Sequence, residues 1–316
     1  MKKIAIEQHF ITPETLRYAG SEHVPPAIWR GFENRLLDFD DMRLAEMDRL
    51  GIDMEVLSLN SPGIQGESDV DRAVAAAASS NDELAGLVAR HPTRFAGFAS
   101  LPTQDGAQAA RELRRAVREL GFKGAMINGP AATGVYLDEE RSWPLLEAAE
   151  ELDVPLYLHP APPLQVPQIY AGHPLLVGPI WSWGVETATL GLRLVLSGAF
   201  DAFPRLKIML GHMGEGLPFT LARLNSRYKI AKTTRPLKRL PSEYIAENFY
   251  ITTSGVASAP PLLCALTAMG ADHILFATDY PFEDGEEAVR FMETAPVSEG
   301  DRAKIFHGNA QRLLKL

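Results

Sequence analysis

IAIEQHF, residues Ile4–Phe10, begins as an unbroken apolar run and ends on an acid, an amide and an imidazole before closing on Phe10. A strand buried on both faces needs the apolar run. A polar tip marks the end at which strands of a parallel barrel carry their chemistry. The same layout recurs along the chain. MEVLSL (Met54–Leu59), FAGFASL (Phe95–Leu101), GAMIN (Gly124–Asn128), PLYLHP (Pro155–Pro160), LKIMLGH (Leu206–His212), FYITTSG (Phe249–Gly255) and HILFATDY (His273–Tyr280) bring the total to eight.

Helical patterns lie between these runs. Asp38–Gly51 opens on capping acids and closes on glycine; Asp69–His91 is alanine-rich and stops before Pro92; Asp105–Gly121 again runs from an acid to a glycine. Such starts and stops are helix signals. Eight strands alternating with helices predict an α/β fold, specifically a closed (β/α)8 TIM barrel. No linker divides residues 1–316, so a single barrel domain is expected, with irregular active-site loops near 13–35 and 160–178 and a closing helix in Ala303–Leu316.

Composition narrows the function. The 316 residues carry 31 Lys+Arg against 40 Asp+Glu, a net charge of −9, without a basic run. A nucleic-acid partner is therefore not expected. No window approaches the roughly 20 apolar residues of a membrane span. MKKIAIEQHF lacks the apolar core of a signal peptide. The only cysteine, Cys264, lies in an apolar helical stretch and reads as a structural thiol. One thiol cannot form an internal disulfide, and a soluble cytoplasmic protein is expected.

Five polar residues sit at strand ends: Glu7 and His9 on the first, His159 on the fifth, His212 on the sixth and Asp279 on the eighth. A period of two points Glu7 and His9 to one face. Neutral imidazoles and ionised carboxylates are metal ligands at neutral pH. Glu7, His9, His159 and Asp279 together suit zinc, manganese or iron(II).

Ile6–Phe10 with Pro13–Thr15, Leu156–Pro160, GHPLLVGP (Gly172–Pro179), LGHMGEGLPF (Leu210–Phe219), ENFYITTSG (Glu247–Gly255) and ATDYPFE (Ala277–Glu283) form a further set of motifs. In these the sequence resembles the amidohydrolase superfamily, in the branch of non-oxidative aromatic-acid decarboxylases related to aminocarboxymuconate semialdehyde decarboxylase. That resemblance carries the following expectations. It implies one divalent metal, Mn or Zn, on Glu7, His9, His159 and Asp279. It implies catalytic roles for Asp279, His212 and Glu215, and substrate contacts from Arg223, with Asn128, His23 and Tyr280 near the ring. The activity it implies is decarboxylation of an ortho-hydroxylated aromatic acid of the γ-resorcylate type, in a homodimer or homotetramer. Gln8 stands where the family carries an acid, and Tyr280 where close relatives often carry Trp. Two rival readings remain open: hydrolysis of an amide, ester or lactone with Asp279 as base, and metal binding without catalysis. The fourth strand ends on Asn128 rather than on a bridging lysine, which favours one metal over two.

Overall fold

The computed structural model describes residues 1–19 and 24–316. Ten strand segments run in chain order among them: β1 (Ile4–Phe10), β2 (Met54–Leu59), β3 (Phe95–Gly97), β4 (Ala99–Ser100), β5 (Ala125–Asn128), β6 (Leu156–His159), β7 (Ile208–Leu210), β8 (Phe249–Thr252), β9 (Ile274–Leu275) and β10 (Ala277–Tyr280). All pairings are parallel, in the orders β10-β1-β2-β3 and β4-β5-β6-β7-β8-β9.

The two arcs join through two kinked staves. Phe98 separates β3 from β4; its N–H donates to Leu57, whereas the next N–H, from Ala99, donates to Gly124. Phe276 separates β9 from β10; Thr253 N–H donates to Leu275 on one side, and Ile6 N–H donates to Phe276 on the other. Each kinked stave hands its hydrogen bonds from one neighbour to the next. The eight apolar runs of the sequence thus form the eight staves of a TIM barrel, two of them bent.

Two apolar layers follow from the strands' two faces. Ile4, Ile6, Val56, Phe98, Met126 and Tyr157 fill the barrel interior, and Ala310, Leu313 and Leu314 of the C-terminal helix close its base. The larger outer layer packs strands against helices. Asp69 caps the helix Val70–Arg90 by accepting from Arg72 N–H, and Asp105 caps Gly106–Arg118 through two N–H groups. Gly51 ends Met42–Leu50 in the left-handed conformation.

The expected loop at 13–35 is not irregular throughout. It contains the turn Thr15–Tyr18 and the helix Pro26–Leu37, which starts on two prolines pre-set for a first turn. The segment 160–178 holds only the single turns Gln168–Tyr170 and Pro174–Leu176. Cys264 is half-buried on the helix Ala259–Met269. No helix among the described residues is long and apolar enough to cross a membrane.

Two glycines of this frame should respond oppositely to alanine. A Cβ at Gly106 would stand 2.3 Å from the Arg141 carbonyl oxygen, while one at Gly86, inside Val70–Arg90, would meet nothing within 4 Å. Gly106→Ala is expected to cost about 1–3 kcal/mol from overpacking. Gly86→Ala should add about 0.5–1 kcal/mol. Urea midpoints of the two variants check both signs.

Candidate metal centre

The site begins with a break in strand parity. Ile4 and Ile6 point into the barrel, and Ala5 packs in the outer layer. Strict alternation would send Glu7 outward with Ala5. Glu7 instead takes φ 65°, and the pairing of β1 with β10 shifts register between Ile6 and Gln8. That bulge turns Glu7 inward and leaves His9 inward as well. Asp279 on β10 is also left-handed, at φ 59°. A non-glycine residue in this region costs on the order of 1–3 kcal/mol and persists only where its surroundings enforce it.

Glu7, His9, His159 and Asp279 form a buried group whose ligand atoms lie within 4.8 Å of one another. His9 Nε2 is 3.1 Å from Asp279 Oδ1, and His159 Nε2 is 3.6 Å from Glu7 Oε1. Glu7 Oε2 accepts from Thr252 Oγ1 at 3.0 Å and from the Tyr157 hydroxyl. Glu7 Oε1, though buried, has no hydrogen-bond partner. A buried carboxylate oxygen left free among three other ligand atoms fits a cation. Gly211 makes room for it, since a Cβ there would stand 2.9 Å from Oε1.

Protonation states follow from the surroundings. Burial, then the Asp279 charge, raises the Glu7 pKa against the pull of His212 and His9. Burial and the neighbouring His9 push His159 well below the usual histidine value, which keeps it neutral. Burial alone would raise Asp279, but hydrogen bonds from His212 and His9 outweigh it, and its pKa falls below the usual range. Burial and the Glu7 charge lift Tyr157 well above its usual value, so its hydroxyl stays a donor.

His212 comes from the turn HMGEG. Its backbone N–H donates to Ser254 Oγ, and His212, Met213 and Glu215 all take positive φ. The turn delivers the helix Leu217–Tyr228 and sets His212 Nδ1 2.7 Å from Glu215 Oε1. Nε2 then faces Asp279 Oδ2 at 3.6 Å and Glu7 Oε1 at 3.9 Å. Burial opposes a charged imidazole, yet the Glu215 and Glu7 carboxylates win and raise the His212 pKa well above its usual value.

A cavity of about 1090 Å³ opens above this group. His159, His212, Glu215, Asp279 and Arg223 line it, with Trp29, Phe32, Trp181, Trp183 and Phe282 as aromatic walls. Both expected loop regions contribute: Val24, Trp29 and Phe32 from one, Pro160 from the other. Glu7 and His9 lie beneath, fully buried.

Two expected substrate contacts do not line this cavity. Asn128 ends β5 with Nδ2 donated to the Leu59 carbonyl. Tyr280 follows Asp279 on the strand and so faces the outer layer; its ring lies 4.1 Å from the Arg43 guanidinium and its hydroxyl donates to Arg35. His23 lies outside the described residues. Tyr157, Thr252, Ser254 and Gly211 were not singled out from the sequence. Tyr157 had a signal, since it precedes His159 by two on one strand and shares its face.

A buried Glu–His–His–Asp group at the C-terminal ends of parallel barrel strands defines a metal-dependent barrel enzyme. The amidohydrolase family profile matches residues 5–316. The chain is 49% identical over 322 residues to a γ-resorcylate decarboxylase of Polaromonas sp. (strain JS666), covering 99% of this chain and 98% of that protein. A crystal structure of dihydroxybenzoic acid decarboxylase from Polaromonas sp. JS666, with bound manganese and the inhibitor 2-nitroresorcinol, superposes with TM-score 0.95 at 48% identity over 100% of this chain and 97% of that one. A 2,6-dihydroxybenzoate decarboxylase complexed with 2,6-dihydroxybenzoate gives TM-score 0.95 at 44% identity, covering both chains fully. The chain belongs to the amidohydrolase family.

Tyr157→Phe removes a donor to Glu7 while keeping the ring. Manganese affinity of the stripped protein, read by chelator competition, should fall about 10–100-fold. Glu215→Gln removes the nearest carboxylate from His212. The His212 titration midpoint, followed by ring proton resonances, should move to lower pH; an unchanged midpoint would show that Glu215 does not hold that proton.

Proposed function

We propose that this chain removes CO2, without an oxidant, from a 2-hydroxybenzoate of the γ-resorcylate (2,6-dihydroxybenzoate) type. The observation that carries this reading is the whole-chain match, at 49% identity, to a γ-resorcylate decarboxylase, joined to a buried four-ligand group under an aromatic-walled cavity. Residues 1–316 then act as one catalytic barrel domain.

Glu7, His9, His159 and Asp279 would hold one divalent metal, manganese or zinc. When bound, it supplies positive charge for the substrate's carboxylate and ortho oxygen together. The rest falls to the chain. Direct loss of CO2 would leave an aryl carbanion in the ring plane, where the π system cannot share its charge. Protonating the carboxyl-bearing carbon first avoids that, and an ortho phenolate makes this carbon electron-rich.

Asp279 is the acid of this reading. Its carboxylate is ionised at rest, since its pKa is held low, so its proton has to arrive with the substrate. The ortho phenol gives its proton to Asp279, which passes it to the ring carbon. The carbon–carboxyl bond then breaks, its electron pair returns to the ring, and CO2 and a phenolate remain. His212, fixed by Glu215, faces the same oxygens from the side and orients the ring. Arg223 lines the cavity from the helix Leu217–Tyr228 and offers a cation to the substrate's outer edge. The aromatic walls exclude water while the ring is dearomatised.

The exposed Ile180, Trp181 and Phe219 around the mouth support self-association as a homodimer or homotetramer. The lone half-buried thiol suits a reducing, cytoplasmic setting. Hydrolysis, the rival reading, would recruit Asp279 as a base toward water; the whole-chain match to decarboxylases speaks for CO2 loss.

The test is Asp279→Asn, with metal content measured on the same sample. Both CO2 release and deuterium exchange at the product's ring carbon should vanish. Loss of general acid catalysis alone is typically worth about 10²–10⁴-fold. Exchange that persists in the metal-loaded variant removes Asp279 from the acid role. Chelation of the parent should abolish turnover, and manganese or zinc should restore it.

A further inference from the structure

We propose that Gln8 is a positioning residue: its amide, seated on the outer side of the barrel wall, grips both flanks of Asp279 and ties them to His9 through Glu55 and Arg43. Gln8 is fully buried between the ligands Glu7 and His9, on the opposite face of β1. Its Oε1 accepts the Tyr280 N–H at 3.2 Å, and Thr278 Oγ1 lies 3.0 Å from the same atom. Thr278 and Tyr280 are the two chain neighbours of Asp279. Gln8 Nε2 donates to Glu55 Oε1 at 3.0 Å and lies 2.8 Å from Thr278 Oγ1.

The chain of contacts continues on the far side of Glu55. Arg43 Nη1 donates to Glu55 Oε2 at 3.0 Å, Nη2 to the His9 carbonyl at 2.5 Å, and Nε to the Asp38 carbonyl at 3.2 Å. Two residues of the metal group, His9 and Asp279, are therefore held from behind by one connected set of bonds.

The location explains why such a set is needed. The β1–β10 pairing changes register between Ile6 and Gln8, with left-handed residues on both strands. At that interruption the Tyr280 N–H bonds to the Gln8 side chain. A side chain thus bridges the ladder where the bulge opens it.

An amide meets both demands at this position. Tyr280 N–H requires an acceptor, and Glu55 Oε1 requires a donor. A carboxylate at position 8 offers no donor and would face Glu55 across about 3 Å. Three of the five N–H groups of Arg43 are already given to Glu55 and to the His9 and Asp38 carbonyls. A leucine would leave buried polar groups unpaired on both sides. Glu55, which accepts from Gln8 Nε2, is the residue that makes an amide the fitting choice.

Three variants test this: Gln8→Leu, Gln8→Glu, and the exchange Gln8→Glu with Glu55→Gln, which keeps one amide and one carboxylate. The readouts are the manganese dissociation constant of stripped protein by chelator competition, kcat and KM on 2,6-dihydroxybenzoate at saturating manganese, and circular dichroism for folding. Both single variants should bind manganese about 10–100-fold more weakly. With metal saturated, kcat should fall roughly ten-fold or more while KM moves less than about three-fold, since the acid and not the binding surface is displaced. The exchange should recover affinity and kcat to within about three-fold of the parent. A folded single variant with unchanged affinity and kcat overturns the proposal. So does an exchange variant that folds like the parent yet recovers neither. Should Gln8→Leu not fold, Gln8→Glu against the exchange decides. The kcat arm rests on the decarboxylase reading; if the parent does not turn over that substrate, that reading fails and the manganese arm alone decides the role of Gln8.

Discussion

Two carboxylates enclosed in an apolar barrel set the terms for everything around them. Glu7 has no contact with solvent and Asp279 very little. Burying one uncompensated carboxylate is costly; burying two that repel each other is more so. His9, His159 and His212 converge on them, Tyr157 and Thr252 donate to one of them, and the remaining free oxygen faces the space between the ligands. A divalent cation closes that account. The left-handed backbone at Glu7 and Asp279, the unusual HMGEG turn and the glycine at 211 all serve to bring these groups within a few ångströms of one another.

The same surroundings also separate the two acids. Burial lifts the Glu7 pKa; at Asp279 burial is outweighed by imidazole donors, and its pKa falls. Environments that drive two like groups apart are the usual mark of divided labour in an active site. Glu7 gives one oxygen to hydroxyls, turns the other toward the ligands, and is enclosed. Asp279 lines the cavity and has His212 at its side. Of the two acids, Asp279 is the one that lines that cavity.

Much of this was legible in the sequence. All eight apolar runs became barrel staves, and the four expected ligands meet. The kink at Phe276 carried no signal, because neither a glycine nor a proline adjoins it; the one at Phe98 follows Gly97, a glycine inside a strand run. The helix Pro26–Leu37 was hidden because only Leu36 among its residues is buried, so no apolar stripe marks it. Period-two reasoning placed Glu7 and His9 on one face, which holds, but it could not show that a bulge is what turns that face inward. Tyr280 sits beside Asp279 on its strand, and adjacency on a strand means opposite faces; Asn128 is held instead by the amide bond it donates to the Leu59 carbonyl. The bonds of Gln8 join positions 270 residues apart; no local pattern encodes a partner at that range.

The C-terminal helix gives the barrel a floor. With Ala310, Leu313 and Leu314 stopping the base, the metal centre lies at the bottom of a well with its opening on the opposite side. A gas molecule formed there leaves through the cavity mouth by which the ring entered. Gas and phenol therefore share one small vessel for as long as the ring stays seated. Confinement of both products against the centre that made them is the condition under which a bond just broken can form again.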